Sequence, residues 1–151
     1  MDTKLGPLLK EKKQALYTVP PDATVADAVK VMVDGGVGCV LIMNRGGIHG
    51  LFTERDLMRR IIYKGLSPEN EPIKTHMTRE LIVASPDMTV GETMHMCTEY
   101  RIRHVPVFDG DTLMGMVSAG DLTKWAVQDQ QHTIEDLTRY IYGPVDSAAG
   151  G

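Results

Sequence analysis

An α/β chain of the mixed α+β kind, built from two copies of one unit, is the fold class the sequence predicts, and three observations predict it. Residues 21–57 repeat at 86–122 without a gap, at an offset of 65 positions (86 − 21 = 65). In both copies, apolar runs of strand length alternate with segments whose apolar residues recur at helical spacing. Neither copy is long enough to bury a hydrophobic face alone, so the two should pack together about a pseudo-twofold axis with paired clefts beside it.

The overlay carries its own anchors. Pro21, Asp22, Thr24, Val25, Val40, Gly50, Asp56 and Leu57 meet Pro86, Asp87, Thr89, Val90, Val105, Gly115, Asp121 and Leu122. Thr53 meets Ser118, another short hydroxyl.

Taken in order, residues 4–15 predict a short amphipathic helix with Leu5, Leu8, Leu9 and, just beyond, Leu16 on its apolar side. Tyr17-Thr18-Val19 is a short strand ended by Pro20-Pro21, which cannot continue a ladder. Thr24 caps a helix bearing Val25, Ala28, Val29 and Met32, and Gly35-Gly36 stops it. Gly38–Met43 and Ile48–Phe52 form a hairpin around the turn Asn44-Arg45-Gly46-Gly47. Thr53 then caps a helix through Leu57, Ile61 and Ile62 to Gly65.

The second copy repeats this order. It has a strand at Ile82-Val83, a Thr89-capped helix to about Tyr100, and strands His104–Phe108 and Leu113–Val117 around Asp109-Gly110-Asp111. A helix capped by Ser118 carries Leu122, Trp125 and Ala126, and a separate closing helix covers 133–142. The expected organisation is an N-terminal helix segment 1–16, repeat one 17–65, a linker 66–81 with one helical turn at Ile73–Met77, repeat two 82–128, a C-terminal helix segment 129–143 and a disordered tail 144–151.

Composition bounds the partners. The chain has 151 residues, enough for one domain burying about 70% of its unfolded surface. A net charge of −4 argues against a nucleic-acid surface, and no apolar stretch reaches the length of a membrane span. Cys39 and Cys97 sit in apolar segments, without metal-ligand or disulfide spacing, which fits a reducing cytoplasmic compartment and no metal. They are expected to be buried small hydrophobes, with Met94, Met96, Met114 and Met116 filling core and interface. No nucleophile–base set or phosphate-binding Gly-rich loop is present, so catalysis is not expected.

The chemistry concentrates in two tetrads, Thr53-Glu54-Arg55-Asp56 and Ser118-Ala119-Gly120-Asp121. In each a hydroxyl residue ends a strand and opens a helix, and an aspartate follows three positions on. A helix N-terminus with free N–H groups suits an anion, the hydroxyl can donate to a phosphate oxygen, and the aspartate can accept from a vicinal diol such as ribose. One such tetrad is a common capping box. Two at the same repeat position, each following a strand with a fixed glycine, favour a nucleoside phosphate.

These features resemble cystathionine-β-synthase (CBS) domains in tandem, the Bateman module. The resemblance rests on the Pro-Asp-x-Thr-Val openings, the run Arg101-Ile102-Arg103-His104-Val105-Pro106-Val107, the Gly115-Met116-Val117-Ser118 strand end and both tetrads. It covers about residues 17–128, and small bacterial proteins made of one CBS pair share an ending like Ile134-Glu135-Asp136-Leu137 to Tyr140-Ile141. It implies two pseudo-twofold-related β-α-β-β-α repeats packed sheet to sheet with flanking terminal helices. It also implies an adenine nucleotide in each inter-repeat cleft: AMP first, with ATP, ADP or NAD(H) as alternatives.

Carried over, the first site comprises Thr18, Val19, Pro20 and Val40 around adenine, Thr53 and Arg55 at phosphate, and Asp56 on ribose. The second comprises Val83, Ala84 and Pro106 around adenine, Arg103, His104 and Ser118 at phosphate, and Asp121 on ribose. Arg101 is expected to do no more than close the preceding helix, while Gly38 and Cys39 stand where the second copy has Arg103 and His104, so the sites should be unequal. The function implied is a non-enzymatic sensor that signals energy state to an unidentified regulated protein, as a homodimer, without nucleic acid or membrane. The alternatives are an interaction scaffold with vestigial clefts, a redox or metal sensor using Cys39, Cys97 and His104, and DNA binding by the Arg101–His104 patch.

Overall fold

The structure, a computed structural model, describes residues 2–12 and 16–142. The expected tail 144–151 lies outside them. The chain divides into two compact units, one of Lys13–Val83 and the other of Met1–Lys12 with Ala84–Gly151.

In the first of these, β1 (Thr18–Val19) pairs parallel with β2 (Cys39–Asn44), which pairs antiparallel with β3 (Gly47–Thr53). Helix α2 (Val25–Gly35) begins at a capping box, in which Thr24 Oγ1 accepts from Asp27 N–H at 3.1 Å and Asp27 Oδ2 accepts from Thr24 N–H at 2.9 Å. It ends at Gly36, whose φ of +64° is available to glycine at little cost. Val25, Ala28 and Met32 of α2 bury against Val40, Ile42 and Phe52 of the hairpin. Full burial of Phe52 alone contributes roughly 2–3 kcal/mol.

The helix expected from Thr53 to Gly65 has a different form. Helix α3 (Glu54–Asp56) continues as a wider π-helix, Leu57–Ile62, in which Tyr63 N–H donates to Met58 C=O at 2.9 Å. The wide turn keeps Leu57 and Ile61 packed on the core and leaves Met58 and Ile62 exposed. A 3₁₀ turn at Pro68–Asn70 and helix α4 (Ile73–His76) follow, with Ile73 fully buried.

In the second unit, α5 (Val90–Tyr100) starts at the Thr89–Glu92 capping box, and β4 (His104–Asp109) pairs antiparallel with β5 (Thr112–Ser118). The hairpins repeat in detail. Each carries a register shift at the same repeat position, between Ile42 and Met43 and between Val107 and Phe108. Arg101, at the position of Gly36, closes α5 with φ +55°, a left-handed conformation that costs a non-glycine residue about 1 kcal/mol or more.

Two expectations fail here. Ile82-Val83 is not a strand; among the described residues the pairing at this point is one parallel bridge from Ala84 to Val107. The cause is a proline. In the first unit Leu41 N–H donates to Tyr17 C=O at 3.0 Å, whereas the matching position holds Pro106, which has no N–H to give. The helix opened by Ser118 also does not stop. Helix α6 (Ala119–Tyr142) runs unbroken through the segment expected to separate two helices, with no glycine or proline to end it.

Helix α1 (Leu5–Lys12) falls within the expected 4–15, of which 13–15 lie outside the described residues, and belongs to the unit of the second repeat. Leu5 is fully buried among Val90, Val105 and Val117, and Leu5 N–H and Gly6 N–H donate to Met88 and Pro86 carbonyls at 2.9 and 3.0 Å. Leu16 lies beyond the helix and is exposed. At the repeat offset, α4 aligns with Leu8–Glu11 of α1 (8 + 65 = 73). Each hairpin is therefore covered by the helix that precedes the other repeat in sequence. The fixed glycines explain themselves here: a Cβ on Gly50 would lie 2.6 Å from Thr78 O, and one on Gly115 would lie 3.3 Å from Leu9 Cδ2.

Candidate functional site

Both tetrads occupy the same strand-to-helix corner. Cys39 pairs with Thr53 across β2 and β3, and His104 pairs with Ser118 across β4 and β5. Thr53 N–H donates to Asp56 Oδ2 at 3.0 Å and Asp56 N–H to Thr53 Oγ1 at 3.2 Å. The second corner repeats this at 2.9 Å and 3.1 Å between Ser118 and Asp121.

The expectation of free N–H groups needs correction. Of the four donors that a helix start leaves unpaired, three are used at each corner. Glu54 N–H donates to Gly38 C=O at 3.0 Å and Ala119 N–H to Arg103 C=O at 2.8 Å, in addition to the two bonds of each box. The N–H groups of Arg55 and Gly120 remain outside these arrangements. Each corner thus offers one first-turn donor, one hydroxyl and one half-buried carboxylate. Gly120 has no side chain to screen its N–H, and Arg55 brings an exposed guanidinium beside its own.

The other expected site residues divide by unit. Val19 and Val40 are buried in the first core while Thr18 and Pro20 are exposed at its surface. Ala84 and Pro106 are buried and hydrogen-bonded to each other, Ala84 N–H to Pro106 C=O at 2.9 Å, and Val83 is 44% exposed. Arg103 is exposed and His104 half-buried, on the rim of the second corner. In the first unit a Cβ on Gly38 would lie 2.7 Å from Glu54 Oε1. An acid thus fills the space that adjoins Arg103 in the second. The Glu54 and Gly38 positions correspond to Ala119 and Arg103, so the second corner is the more cationic.

A group that sequence reasoning missed sharpens this contrast. Lys12, at the end of α1, places its ammonium 2.6 Å from Asp121 Oδ2 and donates to Met116 C=O at 2.7 Å. The lysine and aspartate side chains are 15% and 20% exposed. Burial pushes the Asp121 carboxyl up, but the Lys12 hydrogen bond, the Ser118 N–H, the Lys12 charge and the Ser118 hydroxyl outweigh it and hold the group below the usual carboxylate range. Asp56 has a looser partner, Arg60 at 3.6 Å one helical turn on. The repeat offset could have found the difference, because it sets Lys12 against Met77 (12 + 65 = 77).

The cysteines are buried and free. Burial first and the Asp56 carboxylate second push the Cys39 thiol up to about 12, and burial raises Cys97, so neither is an activated thiolate. No group of three metal-ligating side chains occurs among the described residues, and no helix there is long and apolar enough to cross a membrane.

The comparisons with known proteins agree with this layout. The profile of the CBS domain matches residues 13–63 and 73–128, which take in both hairpins and both tetrads. A mitochondrial CBS domain-containing protein of Arabidopsis thaliana is 37% identical over 127 residues, covering 81% of this chain but 62% of that protein, so the chain spans less than two thirds of this relative's length. A CBS domain-containing protein of Bacillus subtilis is 30% identical over 105 residues, 70% of this chain and 74% of that one. A solved structure with CBS domains from Burkholderia ambifaria matches with a TM-score of 0.80 at 34% identity, over 85% of this chain and 96% of its own. Two profile matches, a duplicated strand-to-helix corner and relatives of the same kind lead to one statement: the chain belongs to the CBS domain family, as a tandem pair.

Proposed function

We propose that the chain is a non-enzymatic regulatory module that binds an adenine nucleotide, AMP foremost, at each tetrad. The observation that carries this reading is the duplicated corner, where hydroxyl, first-turn N–H and carboxylate stand together twice in matching geometry. Thr53 and Ser118 meet phosphate, and Asp56 and Asp121 hold ribose hydroxyls. Thr18, Val19, Pro20 and Val40 receive adenine in the first site, and Val83, Ala84 and Pro106 in the second. Arg55, Arg103 and His104 add charge for phosphate. The family, whose members generally bind adenosine ligands and regulate rather than catalyse, supports the ligand class. ATP, ADP and NAD(H) present the same diol and phosphate chemistry. Self-association as a homodimer and an unidentified regulated protein belong to the same proposal, and sedimentation measures the first directly.

Signalling requires the ligand to bind two conformations unequally. The direct test is the melting temperature with millimolar AMP, ADP, ATP or NADH, with GMP as control. A ligand at 100 times its Kd adds about 2.7 kcal/mol of stability, so an adenine-selective rise is expected. No rise with any of them overturns the proposal. It would favour an interaction scaffold, a reading supported by the carboxylate of Asp121 already being held inside the protein.

A further inference from the structure

The contact between Lys12 and Asp121 differs from the Arg60–Asp56 pair of the first tetrad, although Arg60 also donates to a backbone carbonyl, that of His76. It joins residues 109 apart in sequence, it is shorter than the ion pair of Asp56, and both its side chains are largely buried. The lysine is also held in place. Its helix is pinned at the far end by buried Leu5 and by backbone bonds to Pro86 and Met88, and its ammonium keeps a second bond to Met116 C=O. A diol approaching Asp121 therefore meets a carboxylate whose Oδ2 already accepts from Lys12 and from Ser118 N–H.

An uncharged diol that takes Oδ2 displaces the ammonium and offers it nothing in return, and an ammonium left unpaired in a half-buried place is costly. A phosphate changes this. Ser118 Oγ, at the assigned phosphate position, accepts from the N–H of Asp121 itself at 3.1 Å, so an anion bound there lies beside the carboxylate and within the sweep of the lysine. The ammonium can then exchange one oxyanion for another while keeping Met116 C=O.

We propose that Lys12 is a specificity-determining residue of the second site, admitting a vicinal diol to Asp121 only when the ligand also brings a phosphate to receive the lysine. This rests on the nucleotide reading above and adds to it a selection of nucleotides over nucleosides at one site. The first site has Met77 at the Lys12 position and lacks this filter.

The experiment uses an Asp56→Ala background, which disables the first site, and titrates AMP and adenosine calorimetrically into chains with Lys12, Lys12→Met and Lys12→Arg. Adenosine is expected to bind about tenfold tighter after Lys12→Met, the worth of one charge-assisted hydrogen bond no longer in its way. AMP is expected to bind equally or more weakly, and Lys12→Arg to keep the original preference. If Lys12→Met does not fold, Lys12→Gln keeps the stem and a donor toward Met116 without the charge, with the same expectation. AMP binding with no gain for adenosine in either neutral variant overturns the role of Lys12 and leaves the nucleotide reading intact. Binding of neither compound to any of these chains, all lacking the first site, overturns AMP as the ligand of the second site, and the filter with it.

Discussion

In the first repeat Asp56 faces Arg60, 3.6 Å away on the same helix and 44% exposed; in the second, Asp121 is gripped at 2.6 Å by a lysine from the opposite end of the chain. The capping boxes beneath them repeat both hydrogen bonds, at 3.0 and 3.2 Å in the first and 2.9 and 3.1 Å in the second. The boxes repeat because they are local, written within four residues that were duplicated together. The cations differ because they come from segments the duplication treats differently: a helical turn in one case, a preceding helix in the other. Duplication thus preserved the corner and left its electrostatics free to diverge.

The largest effect that probes this comparison lies in the two cores. Phe52 and Val117 hold the same repeat position (52 + 65 = 117) and both are fully buried. Phe52→Ala is expected to cost about 3–5 kcal/mol of stability, and Val117→Ala about 2 kcal/mol, by chemical denaturation. Similar losses would mean that the cores are not packed as differently as their side chains suggest.

Next come the cations. Lys12→Met strips a half-buried carboxylate of its partner and is expected to cost about 1–2 kcal/mol, below the figure for fully buried pairs. Arg60→Met removes an exposed, longer pair and an exposed bond to His76 C=O, and is expected to cost less than Lys12→Met, about 0.5–1 kcal/mol. Acid separates them further. Asp121 has a folded pKa below its unfolded value of about 3.9, so its contribution is complete above that pH and lost as pH falls through the folded value. Lys12→Met should therefore flatten the loss of stability below about pH 4. An unchanged acid limb would remove Lys12 from the account of Asp121.

The caps should behave alike. Thr53→Ala and Ser118→Ala each remove one box and are expected to cost about 1 kcal/mol, equally in both repeats. A difference of more than about twofold would show that the corners are less equivalent than their hydrogen bonds imply.

What the sequence disclosed follows the same division between local and distant. Thr24, Thr89 and both tetrads announced their helix starts because a cap needs only its own next three residues. The hairpins were legible from apolar runs and turn residues. The missing strand at Ile82-Val83 turned on one absent N–H, on a proline more than twenty residues away, which no local pattern at the strand itself records. The π-helical turn after Asp56 came from core packing of Leu57 and Ile61, and periodicity does not distinguish it from an ordinary turn. No local pattern singles out Lys12, because only tertiary structure brings α1 to the second repeat.

Under the proposed function the two corners are two nucleotide sites of unequal character. Calorimetric titration of AMP into the unmodified chain and into Asp56→Ala and Asp121→Ala tests it most directly. A two-site isotherm with distinct affinities is expected, from which Asp56→Ala removes one component and Asp121→Ala the other. A single class of site, or an isotherm that neither substitution alters, would contradict it.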